Sequence, residues 1–151
     1  MEKRNLIDDI NINIDEDLYT MSTKLAAGPS LIEYYGKEAN KIIKEYNILK
    51  IGYDIWFSEK LDLAIKQLMK DNPDAANDPK LRKELKDLNY ATGAKEERLV
   101  AKYFRVEYDS WKISLETKRE EMNNAEVALE AIKTRNVNLA QLIKNKQMEI
   151  N

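Results

Sequence analysis

The stretch FRVEYDSWKISLETKREEMNNAEVALEAIKTRNVNLAQLIKNKQMEI (Phe104–Ile150) decides the fold of this chain. Its apolar and aromatic residues recur at alternating steps of four and three, the spacing of the a and d positions of a heptad repeat. The seam is formed by Phe104, Tyr108, Trp111, Leu115, Lys118, Met122, Ala125, Leu129, Ile132, Asn136, Leu139, Ile143, Lys146 and Ile150. No Pro or Gly interrupts it, so the sequence predicts a continuous helix roughly 70 Å long. Such a seam needs another long helix to cover it, which predicts an all-α, elongated antiparallel helical hairpin or coiled coil.

The composition narrows the chemistry of the chain. Charged residues make up 34% of the 151 residues, with only four Gly and three Pro, a profile typical of long helices. The absence of Cys and His excludes disulfides, thiolate zinc sites and Cys/His or Ser/His/Asp catalysis. Neighbouring carboxylates such as Glu96 and Glu97 point about 100° apart on a helix and do not converge by themselves. We therefore expect no enzyme activity, no cofactor and no metal.

The charge is unevenly distributed along the chain. Residues 1–20 hold six acids and two bases, whereas the remaining 131 residues hold 21 acids and 23 bases. A slightly basic body behind an acidic arm permits a nucleic-acid partner, although a well-solvated helical surface explains the same balance. No run of 18 apolar residues is present, and the acidic N-terminus does not resemble a signal peptide. We expect a cytoplasmic protein, in the host cell if a phage encodes it.

Residues 1–29 are predicted to form an N-terminal arm and a short helix. The alternation from Ile10 to Ile14 predicts a short strand or extended arm, which either docks on another subunit or packs locally. We expect Asp15 to cap a helix that runs to about Ala27, where Gly28 and Pro29 end it.

Residues 30–151 are predicted to form the long hairpin, with its loop at residues 71–79. In the first helical segment, Gly36 marks a possible kink and Gly52 a possible close approach beside aromatic residues. We expect the aromatic start of the second segment, Phe104 to Leu115, to pack against Tyr46 to Phe57.

The second segment of the hairpin is the longer one, so its C-terminal heptads are expected to lack a partner within the chain. This surplus predicts self-association, with Asn136 fixing the register between subunits. The predicted oligomerisation residues are Met122, Leu129, Ile132, Asn136, Leu139 and Ile143.

Basic residues interleaved with aromatic ones are the best candidates for a functional site. Lysines neutralise phosphates and flat rings stack on bases, which is how single-stranded nucleic acid is commonly bound. The predicted contacts are Lys41, Lys44, Lys50, Tyr53, Trp56, Lys60, Lys133 and Arg135. The alternatives are that the aromatic residues belong to the core and that the C-terminal cations complement the helix dipole.

Three segments resemble the UvsY family, the recombination mediators of T-even-type bacteriophages. The most specific is ALEAIKTRNVNLAQLIKNKQMEI (Ala128–Ile150), and MSTKL (Met21–Leu25), followed by YY, is similar to the start of the family. KIGYDIWFS (Lys50–Ser58) is similar to its DNA-binding segment: Lys50 and Asp54 match, and Trp56 stands where the family has Tyr. Gly52 departs from the pattern, because the family has an arginine there.

This resemblance implies a ring-like homo-oligomer that binds single-stranded DNA. It also implies contacts with a single-strand-binding protein and with a RecA-like recombinase, whose filament the mediator helps to nucleate. The alternative hypothesis is a coiled-coil scaffold or phage assembly adaptor that binds no nucleic acid.

Overall fold

The computed structural model describes residues 3–71 and 94–150, together with the single positions 73, 79 and 83. It contains the helices α1 (Leu6–Ile10), α2 (Leu18–Ala26), α3 (Gly28–Asp71), α4 (Ala94–Tyr103) and α5 (Arg105–Ile150). No described residue forms a strand, and the long helices pack antiparallel as a helical hairpin. The predicted all-α hairpin is therefore confirmed.

The chain divides into two compact units, to which α3 and α5 both contribute. The first unit comprises Met1–Tyr46 with Lys118–Asn151, and the second comprises Asn47–Thr117.

Two predictions about the N-terminal region are wrong. Ile10 ends the short helix α1, which Asn5 caps by accepting a 3.0 Å hydrogen bond from the Ile7 amide. Asp17, and not Asp15, caps α2 by accepting a 2.7 Å hydrogen bond from the amide of Thr20. The alternating isoleucines do not form a strand, because Ile10 and Ile12 pack against helices of the same chain.

The core of the first unit lies between α5 and the N-terminal elements. Leu31 and Tyr35 of α3 pack against Ile132, with Leu6 and Ile10 of α1 closing over them. Met21 of α2 packs in turn against two further residues of the α5 seam, Leu139 and Ile143.

The C-terminal heptads thus have a partner within the chain, and the premise that they lack one is wrong. The first arm of the hairpin was counted from Ser30, whereas α2 and α1 extend the surface that covers α5. Ile132 and Leu139 are completely buried by these intrachain contacts. Self-association through this seam stays a prediction, but the argument from surplus length no longer supports it.

The core of the second unit combines small and aromatic side chains. Ala64 of α3 packs against Leu99 of α4, with Leu61, Tyr103 and Phe104 around them. A bend at Phe104 separates α4 from α5, yet the Phe104 amide still donates to Val100 at 2.8 Å and Tyr108 donates to Phe104 at 2.9 Å. The predicted helix therefore starts one residue later, at Arg105.

The two interior glycines of α3 differ in their surroundings. A methyl group on Gly52 would lie 3.3 Å from the Trp111 ring, so the expected close approach is present and involves a side chain. Gly36 lies inside the uninterrupted helix α3 and does not break it. The predicted loop begins where α3 ends at Asp71, but most of residues 72–93, including the expected Thr92 cap, lie outside the described residues.

Candidate nucleic-acid interface

An aromatic cluster joins α3 to α5 in the second unit. The ring of Tyr53 lies 6.1 Å from the rings of both Trp56 and Trp111 and 5.7 Å from that of Phe57, within the usual range for aromatic pairs. The Trp56 indole N–H donates a 2.8 Å hydrogen bond to the carboxylate of Glu107. Two residues that the sequence placed on a DNA path, Tyr53 and Trp56, are therefore part of the packing between these helices.

Burial removes Tyr53 from the set of DNA contacts. Its side chain is only 9% exposed, and Lys112 Nζ lies 5.0 Å from its ring centroid. Burial raises the pKa of the Tyr53 phenol, and the nearby Lys112 ammonium opposes that rise. A base cannot stack on a ring that is enclosed in this way, whereas Trp56 stays half-buried.

The predicted basic residues of α3 fall into two groups. Lys41, Lys44 and Lys50 are exposed and remain available to phosphates. Lys60 is half-buried, with its ammonium 4.9 Å from the centroid of the Phe104 ring, a cation–π contact inside the unit.

The two predicted C-terminal contacts also differ. Lys133 is exposed and lies 3.3 Å from the carboxylate of Glu130. Arg135 is only 5% exposed, and its Nη1 donates a 2.7 Å hydrogen bond to the side chain of Asn136. We remove Arg135 from the set of DNA contacts, because its guanidinium lies inside the first unit.

The N-terminal arm supplies the counter-charge for Arg135. Burial lowers the pKa of its guanidinium, and the Asp9 carboxylate opposes that effect. Asp9 accepts hydrogen bonds from Arg4 at 2.9 and 3.0 Å and from the Tyr35 hydroxyl at 2.7 Å. The Nε of Arg135 is buried without a hydrogen-bond partner among the residues that the structure describes.

The predicted oligomerisation residues lie at different depths in the first unit. Ile132, Leu139 and Ile143 are buried, whereas Met122 and Leu129 are half-buried. Asn136 is also half-buried and lies beside Gly28, where a methyl group would approach its amide nitrogen to 2.8 Å. Within this chain Asn136 packs against the start of α3.

A groove that the sequence analysis missed lies in the second unit where α4 meets α5. It has a volume of about 430 Å³ and is lined by Glu97, Arg98, Ala101, Lys102, Arg105 and Tyr108. The three cations are exposed, and Tyr108 is half-buried beside them. We call this surface the basic groove.

The one acid in this lining is paired with a base outside it. Glu97 accepts a 3.1 Å hydrogen bond from Lys112, whose ammonium also lies 5.5 Å from the Tyr108 ring centroid. Burial disfavours the Lys112 ammonium, but Glu97 with the two tyrosines outweighs it, so the pKa of Lys112 is raised. Of the three cations, Arg105 has a long contact of 3.7 Å with Asp109. The groove therefore keeps a positive charge.

The spacing of the basic groove could have been found in the sequence. Arg98, Lys102, Arg105 and Tyr108 follow one another at steps of four, three and three, which keeps them on one side of a helix. The sequence analysis considered only the basic residues of the first helical segment and the C-terminal turns. Nothing in the spacing alone shows that Lys112 neutralises Glu97.

Other kinds of site have less support in the described part of the chain. Within residues 3–71 and 94–150 no three acidic side chains come together in a way that could hold a metal ion. In the same residues no helix is long and apolar enough to cross a membrane.

Comparison with known protein families, curated proteins and solved structures finds no significant match.

Proposed function

We propose that this chain is a non-enzymatic accessory protein of DNA recombination, replication or repair that binds single-stranded DNA. The observation that carries the proposal is the basic groove, where three exposed cations surround an aromatic ring. Arg98 and Arg105 are seven residues apart, about 10 Å along a helix. A flexible single strand can follow such a surface, with phosphates on the cations and a base against Tyr108.

Exposed lysines elsewhere support the same proposal. Lys41, Lys44, Lys50 and Lys133 can add long-range attraction for a polyanion, which rises with the number of cations that the strand meets. They lack the ring and the groove of the α4–α5 site. We therefore assign them a secondary contribution to affinity and no role in positioning bases.

The resemblance to the UvsY family supplies the biological setting of the proposal. In that setting the chain is a ring-like homo-oligomer that helps a RecA-like recombinase replace a single-strand-binding protein on DNA. Phage recombination in the host cytoplasm is then the proposed context.

A titration of fluorescently labelled single-stranded oligonucleotides tests DNA binding directly. Anisotropy is measured at low salt with protein in the micromolar range. We expect saturable binding that weakens as salt rises, because counterions are released from the phosphates. An unchanged anisotropy throughout the micromolar range would contradict the proposal.

The second candidate function is a helical scaffold that binds only protein. It is favoured by the exposed aliphatic side chains of the second unit, Ile48, Ile51, Ile55, Val106 and Ile113. This candidate predicts association with another helical surface and no affinity for nucleic acid. The oligonucleotide titration therefore separates the two functions.

A further inference from the structure

The second unit carries another groove, and this one is mainly apolar. It has a volume of about 470 Å³ and is lined by Leu49, Val106, Glu107, Ser110, Trp111 and Ser114. Glu107 is the only charged residue of this lining, and it already accepts the hydrogen bond from the Trp56 indole at 2.8 Å. An apolar occupant would therefore leave no lining carboxylate without a partner.

Exposed aliphatic side chains stand next to this groove on both helices. On α3, Gly52 faces the Trp111 ring at 3.3 Å, and Ile48 and Ile55 share its side of the helix at steps of four and three. On α5, Val106 lines the groove, and Ile113 follows Ser110 by three residues. The exposed fractions of Ile48, Ile55, Val106 and Ile113 are 71%, 58%, 83% and 67%. We call these four residues and the groove the apolar face.

The size of the apolar face argues for an occupant. Its four aliphatic side chains expose on the order of 400 Å² of apolar surface, within the ~300–600 Å² of the largest patch on a typical monomer, which is often functional. A standard interface buries roughly 800 Å² on each partner. The walls of the groove, including Leu49 and Trp111, add to the aliphatic area and bring the face towards that size.

The shape of the apolar face fits a second copy of this chain. Projecting isoleucines on α3 lie beside a groove that Ser110 and Ser114 keep shallow in side-chain bulk on α5. In a two-fold pair the same patch meets itself, so each copy can offer its isoleucines to the groove of the other. A partner with a charged surface would instead bury its charges against aliphatic side chains at a high cost.

We propose that two copies of the chain dock through the apolar face of the second unit. This inference corrects the surface of the expected self-association, which the sequence placed on the C-terminal heptads. It does not depend on DNA binding, because the apolar face shares no residue with the lining of the basic groove. Both basic grooves remain free in such a pair.

The mass of the chain in solution tests this proposal. Light scattering is measured over a range of concentrations for the wild type and for the triple variant Ile48→Gln, Ile55→Gln, Val106→Gln. Gln keeps a high helix propensity, and circular dichroism checks that the variant folds. The matched control is Val127→Gln with Val137→Gln, two aliphatic residues of the first unit exposed to 66% and 70%.

We expect the wild type and the control to self-associate and the triple variant to lose at least tenfold in association constant. A monomeric wild type at tens of micromolar, or a triple variant with the mass of the wild type, would overturn the proposal. If another protein rather than a second copy covers the face, the wild type is monomeric, which counts against the proposal.

The two tryptophans of the chain report where the copies meet. Trp111 lines the apolar groove, and Trp56 is bonded to Glu107 in the same lining. We expect the tryptophan emission of the wild type to shift to longer wavelength on dilution, as the face becomes exposed to water. An emission spectrum that stays constant while the mass falls would place the interface elsewhere and contradict the proposal.

Discussion

The hydroxyl of Tyr35 donates a 2.7 Å hydrogen bond to the carboxylate of Asp9, and this contact ties the N-terminal arm to the hairpin. Asp9 also accepts two hydrogen bonds from Arg4 and provides the nearest counter-charge to the buried Arg135. One carboxylate thus satisfies donors from the arm and α3 and offsets a charge on α5. The same contact explains why the arm packs on its own chain rather than forming a strand.

The first prediction concerns Asp9 and its dependence on pH. The hydrogen bonds from Arg4, opposed by partial burial and reinforced by Tyr35, lower the pKa of Asp9. A depressed carboxyl pKa stabilises the folded state above the unfolded value of about 3.9, and this stability is lost as the pH falls through the lower folded value. We expect Asp9→Asn to lower the free energy of unfolding by about 1–2 kcal/mol at neutral pH.

Urea denaturation of wild type and Asp9→Asn at several pH values checks this prediction. The gap in stability between them should be constant near neutrality and should shrink below about pH 4. Asp8→Asn is the matched control, because Asp8 is an exposed neighbour in the same short helix. A gap that is equally large well below pH 3 would show that the charge of Asp9 does not stabilise the fold.

The second prediction tests the finding that the C-terminal seam is covered by its own chain. Leu139 is completely buried against Met21, whereas Val137, two residues earlier, is 70% exposed. Truncation of a buried leucine leaves a cavity, so Leu139→Ala should lower the free energy of unfolding by about 2–5 kcal/mol.

Val137→Ala is the control for this truncation and should change the stability by less than about 0.5 kcal/mol. Both variants are compared in the Ile48→Gln, Ile55→Gln, Val106→Gln background, where association through the apolar face does not contribute. Similar small effects at the two positions would mean that the seam is not packed within one chain.

The third prediction compares two glycines of α3. No heavy atom lies within 4 Å of a methyl group built on Gly36, so Gly36→Ala should raise the free energy of unfolding by about 0.5–1 kcal/mol. A methyl group on Gly28 would lie 2.8–3.0 Å from three side-chain atoms of Asn136. Gly28→Ala should therefore destabilise the fold by about 1–3 kcal/mol, the usual cost of overpacking.

A double-mutant cycle assigns the cost at Gly28 to the contact with Asn136. The truncation Asn136→Ala removes the three atoms, so it should make Gly28→Ala less costly in the double variant than alone. Thermal unfolding of the four proteins measures this difference. Equal costs of Gly28→Ala with and without the Asn136 side chain would rule out the steric explanation.

The sequence predicts the helices better than it predicts what covers them. The heptad steps place α5 to within one residue at Arg105, because its periodicity is strong and Pro and Gly are absent. Arg135 and Tyr53 were expected at the surface because of their chemical types. Their burial depends on Asp9 and Trp111, which lie far away in the sequence, so no local pattern reveals it.

The candidate site shows the same division between local and long-range information. Lys41, Lys44 and Lys50 are exposed as expected, since nothing apolar in their helical rows requires burial. The basic groove depends on the bend at Phe104 and on Lys112 neutralising Glu97. The spacing of Arg98, Lys102 and Arg105 was readable, but the pairing of Glu97 required the structure.

The central claim is that single-stranded DNA binds at the basic groove, and a comparison of two triple variants tests it most directly. One variant is Arg98→Gln, Lys102→Gln, Arg105→Gln, and the other is Lys41→Gln, Lys44→Gln, Lys50→Gln. Both remove three positive charges from exposed positions, so they alter the net charge equally.

Oligonucleotide anisotropy is measured for both variants and the wild type at several salt concentrations. The account predicts that the groove variant loses at least tenfold in affinity and that its salt slope falls by about 2, because each lost contact with a single-strand phosphate removes about 0.7. The α3 variant should lose clearly less. Equal losses in the two variants, or a larger loss in the α3 variant, would contradict the claim.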